Sequence, residues 1–89
     1  MAWQIELTDS AAKALRKMDP QAARRITEFL RRRVAGDRDP RHLAKSLKGE
    51  LNSYWRFRVG DFRLICDIQD QKLRVLVIRI AHRREVYRD

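Results

Sequence analysis

The sequence predicts an α+β fold: an N-terminal strand and a helical hairpin precede a three-stranded antiparallel meander, and the helices pack on one face of the sheet. Two changes of pattern predict this order. Apolar residues recur at helical spacing between residues 9 and 36, and from Glu50 onward they alternate with a period of two. A chain of 89 residues forms one domain, so residues 1–89 are assigned to a single domain.

The first half of the chain contains one strand and two helix start signals. Residues 2–7 alternate between apolar and polar, which is typical of a half-buried strand. Thr8 or Asp9 then caps a first helix, and Asp19 followed by Pro20 starts a second. Because the link between the helices is so short, we expect an antiparallel hairpin.

The second half is predicted to be mostly extended. Gly36 ends the second helix, and after a turn at 37–40 a short helical piece that begins at Asp39 runs through Leu47. The last strand is nearly continuous in apolar residues, so we expect it to be central in the sheet. The alternation and the turn residues place strands at about 51–59, 62–68 and 72–80, tight turns at 59–61 and 69–71, and a polar tail at 82–89.

The chain is strongly basic, with a net charge of +9. Sixteen of its 21 basic residues are Arg, whose planar guanidinium binds phosphate bidentately and stacks on bases. A GC-rich coding sequence would also raise the share of Arg, but it would not explain the net excess. Polyanions such as RNA, DNA, an anionic membrane or an acidic protein are therefore the expected partners.

Several classes of protein are excluded. A single cysteine, Cys66, permits no internal disulfide and reads as a core residue in a reducing cytoplasm. No apolar run is long enough to span a membrane, and no signal peptide is expected. His42, His82 and Cys66 are too far apart for a metal site, and no glycine-rich loop could hold a nucleotide cofactor, so we expect neither metal nor cofactor.

A cluster of basic and aromatic residues remains in the last third of the chain. Alternation places Arg56 and Arg58 on one face of a strand, and Arg63 opposite or diagonal to Arg58 on the next. Like charges across a sheet are destabilising, and a fold tolerates them where an anion binds. They could equally be an ordinary solvated face. The other members of the cluster are Tyr54, His82, Arg83, Arg84 and Tyr87.

Three segments resemble the RelE/ParE toxin superfamily. Residues 54–65, which read Tyr-Trp-Arg-Phe-Arg-Val-Gly-Asp-Phe-Arg-Leu-Ile, look like its strand-turn-strand. Leu47-Lys-Gly49 is similar to the approach to that strand, and residues 82–88 resemble the ending of the RelE branch. The order of elements matches as well, so the resemblance covers nearly the whole chain.

The resemblance implies a toxin of a toxin–antitoxin system that is a metal-free endoribonuclease. Members of the RelE branch cut messenger RNA in the ribosomal A site, where the ribose 2′-hydroxyl attacks the adjacent phosphate. The products are a 2′,3′-cyclic phosphate and a 5′-hydroxyl. The implied partners are mRNA, the ribosome with its 16S rRNA, and an acidic cognate antitoxin.

The resemblance also implies roles for individual residues. Arg63 and Arg83 would bind the scissile phosphate, and Tyr87 would stack on a neighbouring base. Arg56 and Arg58 stand where the family archetype has lysines, and arginine cannot act as a base. The general base is thus unassigned, and His82 is the nearby group that titrates near neutrality. Further contacts to RNA are expected from Lys48, Tyr54, Arg84 and Arg88.

Two other functions stay open at this point. A ParE-like toxin would share the fold but inhibit DNA gyrase by binding, without nuclease chemistry. A basic RNA-binding protein without enzymatic activity would also carry the excess charge. The presence of Arg63, Arg83 and Tyr87 favours the RelE branch, because the ParE branch generally lacks this set.

Overall fold

The computed structural model describes residues 2–47 and 53–83. Two α-helices lie between the first strand and the rest of a five-stranded sheet. The elements are β1 (Gln4–Leu7), α1 (Asp9–Lys17), α2 (Pro20–Glu28) with a π-helical continuation (Phe29–Val34), a 3-10 helix (Pro40–Leu43), β2 (Ala44–Ser46), β3 (Trp55–Val59), β4 (Phe62–Gln69), a 3-10 turn (Asp70–Lys72) and β5 (Arg74–His82).

Both helices begin where the sequence predicts. The hydroxyl oxygen of Thr8 accepts a hydrogen bond from the Ala11 amide at 3.2 Å, which makes Thr8 the N-cap of α1. The carboxylate of Asp19 caps α2, with Pro20 in the first turn. In the described part of the chain no helix is long and apolar enough to cross a membrane.

The sheet has the strand order β1-β5-β4-β3-β2. Strands β3, β4 and β5 form the predicted antiparallel meander, and β5 lies inside the sheet between β1 and β4. β1 pairs with β5 in parallel, so the chain crosses over one face through α1 and α2 before it re-enters the sheet. These helices cover that face, and the α+β prediction is confirmed.

The sequence reading missed one strand. The helical piece expected to run through Leu47 ends at Leu43, and Ala44–Ser46 instead form β2, which pairs antiparallel with β3. Three residues are too few to show a period of two, and their extended shape depends on a partner more than ten residues away. The predicted strand at 51–59 begins only at Trp55, because Ser53 lies in a turn and Tyr54 outside any strand, while 48–52 lie outside the described residues.

The remaining boundaries differ by a few residues. β4 extends to Gln69, and β5 runs from Arg74 to His82, so the polar tail starts later than expected. The turn between them is a 3-10 turn followed by Leu73, whose φ of 47° lies in the left-handed region. β4 and β5 therefore join through a longer connection than the predicted tight turn.

The core lies between the helices and the covered face of the sheet. Phe57 is fully buried and meets Phe29 edge to face, with 5.8 Å between ring centroids. Cys66 is buried too, and burial raises the pKa of its thiol, so it stays protonated as a core residue, as the sequence predicts. The rest of the core is mainly Trp3, Ala11, Ile26, Leu30, Val34, Val59, Leu64, Ile68, Val75, Val77 and Ile80.

A group of charges outside the core ties the loop before β2 to the β4–β5 connection. The Arg41 guanidinium donates to both carboxylate oxygens of Asp70, at 2.9 and 2.5 Å, and to Asp39 at 3.1 Å. It also lies 5.7 Å from the ring centroid of Trp55. The hydrogen bonds from Arg41 hold the pKa of the Asp70 carboxyl below its usual value.

We expect Asp70→Asn to lower the free energy of unfolding at neutral pH by up to about 1 kcal/mol, since the pair is exposed. Because the pKa of Asp70 is depressed in the folded state, its contribution is present above the unfolded pKa and is lost as pH falls through the folded value. The difference between parent and variant should therefore vanish in acid. Urea unfolding as a function of pH measures it, and a double-mutant cycle with Arg41→Ala that shows no coupling would contradict the pairing.

Candidate functional site

The turn between β3 and β4 fixes how the basic residues face one another. Gly60 has a φ of 58°, a left-handed conformation that glycine adopts without steric cost. This short turn pairs Val59 with Phe62 and Arg58 directly with Arg63. The sequence prediction that Arg63 lies opposite or diagonal to Arg58 is confirmed.

The basic side chains lie on the sheet face that the helices leave open. Phe57 and Val59 point into the core, so Arg56 and Arg58 point the other way, and Arg63 shares the face of Arg58 through their pairing. Cross-strand pairing adds Lys45 of β2, opposite Arg56, and Arg79 of β5, opposite Ile65. We call Lys45, Arg56, Arg58, Arg63 and Arg79 the cationic face.

The cationic face differs from the other end of the same sheet in how its charges are matched. Within residues 2–47 and 53–83, no carboxylate forms an ion pair with Arg56, Arg58 or Arg79. By contrast, Arg74 at the start of β5 lies 3.0 Å from Glu6 and donates to Gln69 at 2.6 Å. Arg74 is thus matched by a carboxylate, whereas Arg56, Arg58 and Arg79 have no carboxylate partner among the described residues.

Arg83 is held beside the β3–β4 turn. Its amide donates to the Asp61 carbonyl at 2.6 Å, and its guanidinium lies 3.4 Å from the Asp61 carboxylate. Both side chains are about 60% exposed, at 61% and 60%, so this ion pair contributes little to stability. Arg83 therefore lies at the corner of the sheet that carries Arg58 and Arg63.

His82 does not share the face of the arginines. It pairs across the sheet with Phe62, and the two rings meet edge to face at 5.1 Å. Phe62 packs against the core, so His82 lies on the helix side of the sheet. This position favours a packing role for His82 over the proton transfer considered from the sequence.

The other predicted residues are only partly described. Tyr54 is half-buried just before β3, and its carbonyl accepts a hydrogen bond from the Leu47 amide at 3.1 Å. Among the described residues, no hydrogen bond joins the Tyr54 side chain to the arginines of the cationic face. Four predicted residues lie outside the described part of the chain, and their roles stay predictions: Lys48, Arg84, Tyr87 and Arg88.

Sequence reasoning missed Arg79 and Lys45 as members of the site. The signal for Arg79 was present, since it is the single charge within the apolar run from Val75 to Ala81. The strand phase hid it, because unbroken alternation puts residue 79 on the core face with Val75 and Val77. Lys45 could not be placed while β2 was read as helix.

The chemistry that the four arginines of the cationic face offer is electrostatic. Guanidinium groups bind the oxygens of a phosphate and stabilise charge that develops on them, but they do not accept protons.

A cavity of about 310 Å³ between α2 and the β3–β4 turn lies on the helix side, lined by Arg25 and Gly60 among others. In the described residues no three His, Cys, Asp or Glu side chains could together hold a metal ion.

The fold corresponds to that of a class of small toxins. The model of the family described as "ParE toxin of type II toxin-antitoxin system, parDE" matches residues 5–87. The chain therefore belongs to the RelE/ParE toxins. Among curated relatives, Toxin RelG of Mycobacterium tuberculosis is 31% identical with 99% of each chain covered, and Toxin RelE of that organism is 30% identical over 97% of this chain and 87% of the relative.

Solved structures show the same fold. The toxin in the toxin–antitoxin complex RelBE2 from Mycobacterium tuberculosis superposes with a TM-score of 0.84 at 27% identity, over 92% of each chain. The isolated E. coli RelE toxin gives a TM-score of 0.71 at 19% identity, over 99% of this chain and 88% of that one. The second likeness concerns the fold alone. The chain is a toxin of a type II toxin–antitoxin system.

If Arg58 and Arg63 repel, Arg58→Thr should raise the free energy of unfolding by about 0.2–1 kcal/mol. The matched control is Arg74→Thr, on the same sheet face but paired with Glu6, which should lower it by up to about 1 kcal/mol. Denaturant unfolding of both variants tests this. Equal destabilisation by the two substitutions would show that Arg58 is not under electrostatic strain.

Proposed function

We propose that this toxin is a metal-free endoribonuclease that cleaves messenger RNA in the ribosomal A site. The observation that carries the proposal is the direct pairing of Arg58 with Arg63 on an open sheet face, with Arg83 at the same corner. Like charges directly opposite each other in a sheet are destabilising, and a phosphate bound beside them would relieve that repulsion. The resemblance to the RelE branch supplies the reaction.

In the proposed reaction the ribose 2′-oxygen forms a bond to the neighbouring phosphorus, and the bond from phosphorus to the 5′-oxygen breaks. The 2′-proton leaves to a base, and the departing 5′-oxygen gains a proton. Arg63 and Arg83 hold the non-bridging oxygens and stabilise their growing charge. Tyr87 would stack on a base beside the cut and align the nucleophile.

Arginine at positions 56 and 58 changes what the protein contributes to proton transfer in the proposed reaction. The lysines of the archetype could lose a proton at neutral pH if nearby cations lowered their pKa, whereas guanidinium groups stay charged. Arg56 and Arg58 then act by electrostatics. The proton acceptor is either His82 or a group that the ribosome supplies, and the position of His82 behind the sheet favours the ribosome.

A second candidate function is inhibition of DNA gyrase by binding. The matching family model is described by ParE, whereas both curated relatives carry Rel names, so membership alone does not separate the two activities. The set of Arg63, Arg83 and Tyr87 supports the nuclease.

The chain would act on the ribosome because so small a protein offers little surface to hold free RNA in register.

The toxin's partner under this proposal is an acidic antitoxin. RelB–RelE complexes from Mycobacterium tuberculosis, Pyrococcus horikoshii and E. coli are among the structures that share the fold. An antitoxin would cover the cationic face or displace the tail that carries Tyr87. With a toxin charge of +9, association should be fast at low salt and slow as salt rises.

Arg63→Ala should lower the rate of message cleavage by about 10²-fold or more, because it removes a group that stabilises charge in the transition state. Arg74→Ala, on the same face but far from the corner, is the control and should cleave like the parent. Primer extension on translated message, with chemical detection of 2′,3′-cyclic ends, gives the rates. Equal cleavage of translated and naked RNA would refute ribosome dependence, and a toxic protein that leaves no cyclic ends but stalls gyrase would support the alternative.

His82→Phe tests the proton acceptor while it keeps an aromatic ring against Phe62. If His82 is a packing residue, the variant should keep most of the cleavage rate with the same pH profile. A general base contributes about 10²-fold or more, so a loss of that size in a folded variant, together with loss of the titration, would assign the base to His82.

A further inference from the structure

Strand β5 changes face in its middle, and the change is what exposes Arg79. Val75 and Val77 point into the core, and simple alternation would send residue 79 there as well. Cys66 pairs with Val77, but Ile65 pairs with Arg79, so Ile78 is the extra residue of a β-bulge. Beyond the bulge it is Ile80 that faces the core, and Arg79 faces the open side.

The N-cap of α1 fixes this bulge. The amide of Thr8 donates to the carbonyl of Val77 at 3.0 Å, and its hydroxyl donates to the carbonyl of Ile78 at 2.6 Å. Thr8 therefore donates to both carbonyls at the bulge, while its hydroxyl oxygen also accepts the capping hydrogen bond of α1. A bulge held in this way re-aims a side chain permanently, which is a common use of bulges beside functional sites.

Cross-strand pairing sets Arg79 in a row with Arg56. Ile65 lies between them on β4, so their backbones are two strand spacings apart, about 9.5 Å, within reach of two arginine side chains that converge on one anion. Ile65 is only 9% exposed, which gives the row an apolar floor and strengthens its attraction for a charge. Lys45, opposite Arg56, extends the row to β2.

This row runs parallel to the pair Arg58–Arg63, two residues along the strands, or about 6.7 Å away. That separation is comparable with the distance between neighbouring phosphates of an extended RNA strand. We propose that Lys45, Arg56 and Arg79 form a second phosphate subsite, which binds the phosphate adjacent to the scissile one. The inference rests on the proposed nuclease function and adds the path that the RNA backbone takes across the sheet.

An RNA strand fits these rows better than an acidic protein does. RNA offers anions at a regular spacing, and guanidinium groups bind phosphate through two hydrogen bonds. A protein interface needs an apolar centre, and the side chains of the two rows that are exposed are charged. Lys45 on an edge strand also protects against aggregation, so the test centres on Arg79.

The test measures binding of a short single-stranded RNA whose riboses are all 2′-O-methylated, so that it cannot be cleaved, over a series of salt concentrations. Arg79→Ala should weaken binding about tenfold and lower the slope of log affinity against log salt by about 0.7, the value for one lost contact to a single strand. Arg79→Lys should keep the slope. Arg74→Ala, on the same strand and face but paired with Glu6, should change neither quantity.

Arg63→Ala separates failure of the inference from failure of the proposed function. If Arg63→Ala weakens binding but Arg79→Ala leaves affinity and slope unchanged, the second subsite is refuted and the nuclease proposal stands. If neither substitution changes affinity or slope, the cationic face does not bind RNA and the second subsite is refuted, while the cleavage of translated message still decides the nuclease proposal. If Arg79→Ala weakens binding of poly-glutamate and leaves RNA binding intact, the row belongs to an acidic protein and the subsite is refuted.

Discussion

The register of β4 between its two neighbours is the constraint on which the site depends. Leu64 and Cys66 are fully buried against the helices, so Arg63 and Ile65, which alternate with them along β4, must face the open side. A slip of one residue in the register would bury Arg63 and expose the core residues. Both changes would lower the free energy of unfolding strongly. The hydrophobic core thus sets the direction of the arginines, and the Gly60 turn sets which of them are opposite.

The arginines on this sheet face differ in whether a carboxylate is paired with them. At the β1 end, Arg74 is matched by Glu6, and each charge lowers the cost of the other. On β3, and beyond the bulge of β5, Arg56, Arg58 and Arg79 project without a described carboxylate partner. Since a basic protein could have matched both groups alike, this contrast is a more specific guide to a candidate anion site than the net charge of +9.

What the sequence predicts here depends on whether a feature is local. Helix caps and the opposition of Arg58 and Arg63 follow from short-range rules, and both are confirmed. β2 was missed because three residues become a strand only through β3, and Arg79 was missed because a bulge reversed its phase. That bulge depends on Thr8, 70 residues away from Ile78, which no alternation pattern contains.

Four of the five members of the cationic face are arginines, and this limits how they can act. Permanent cations concentrate a phosphodiester and stabilise its extra charge equally well across the neutral pH range, but they neither remove nor deliver a proton. His82 is turned toward Phe62 on the opposite side of the sheet. A protein that brings charge and position to a bond, and leaves proton transfer to its surroundings, acts efficiently only in a structured RNA environment. Under the proposed nuclease function, the chemistry of these side chains is a reason for dependence on the ribosome that is separate from the small size of the protein.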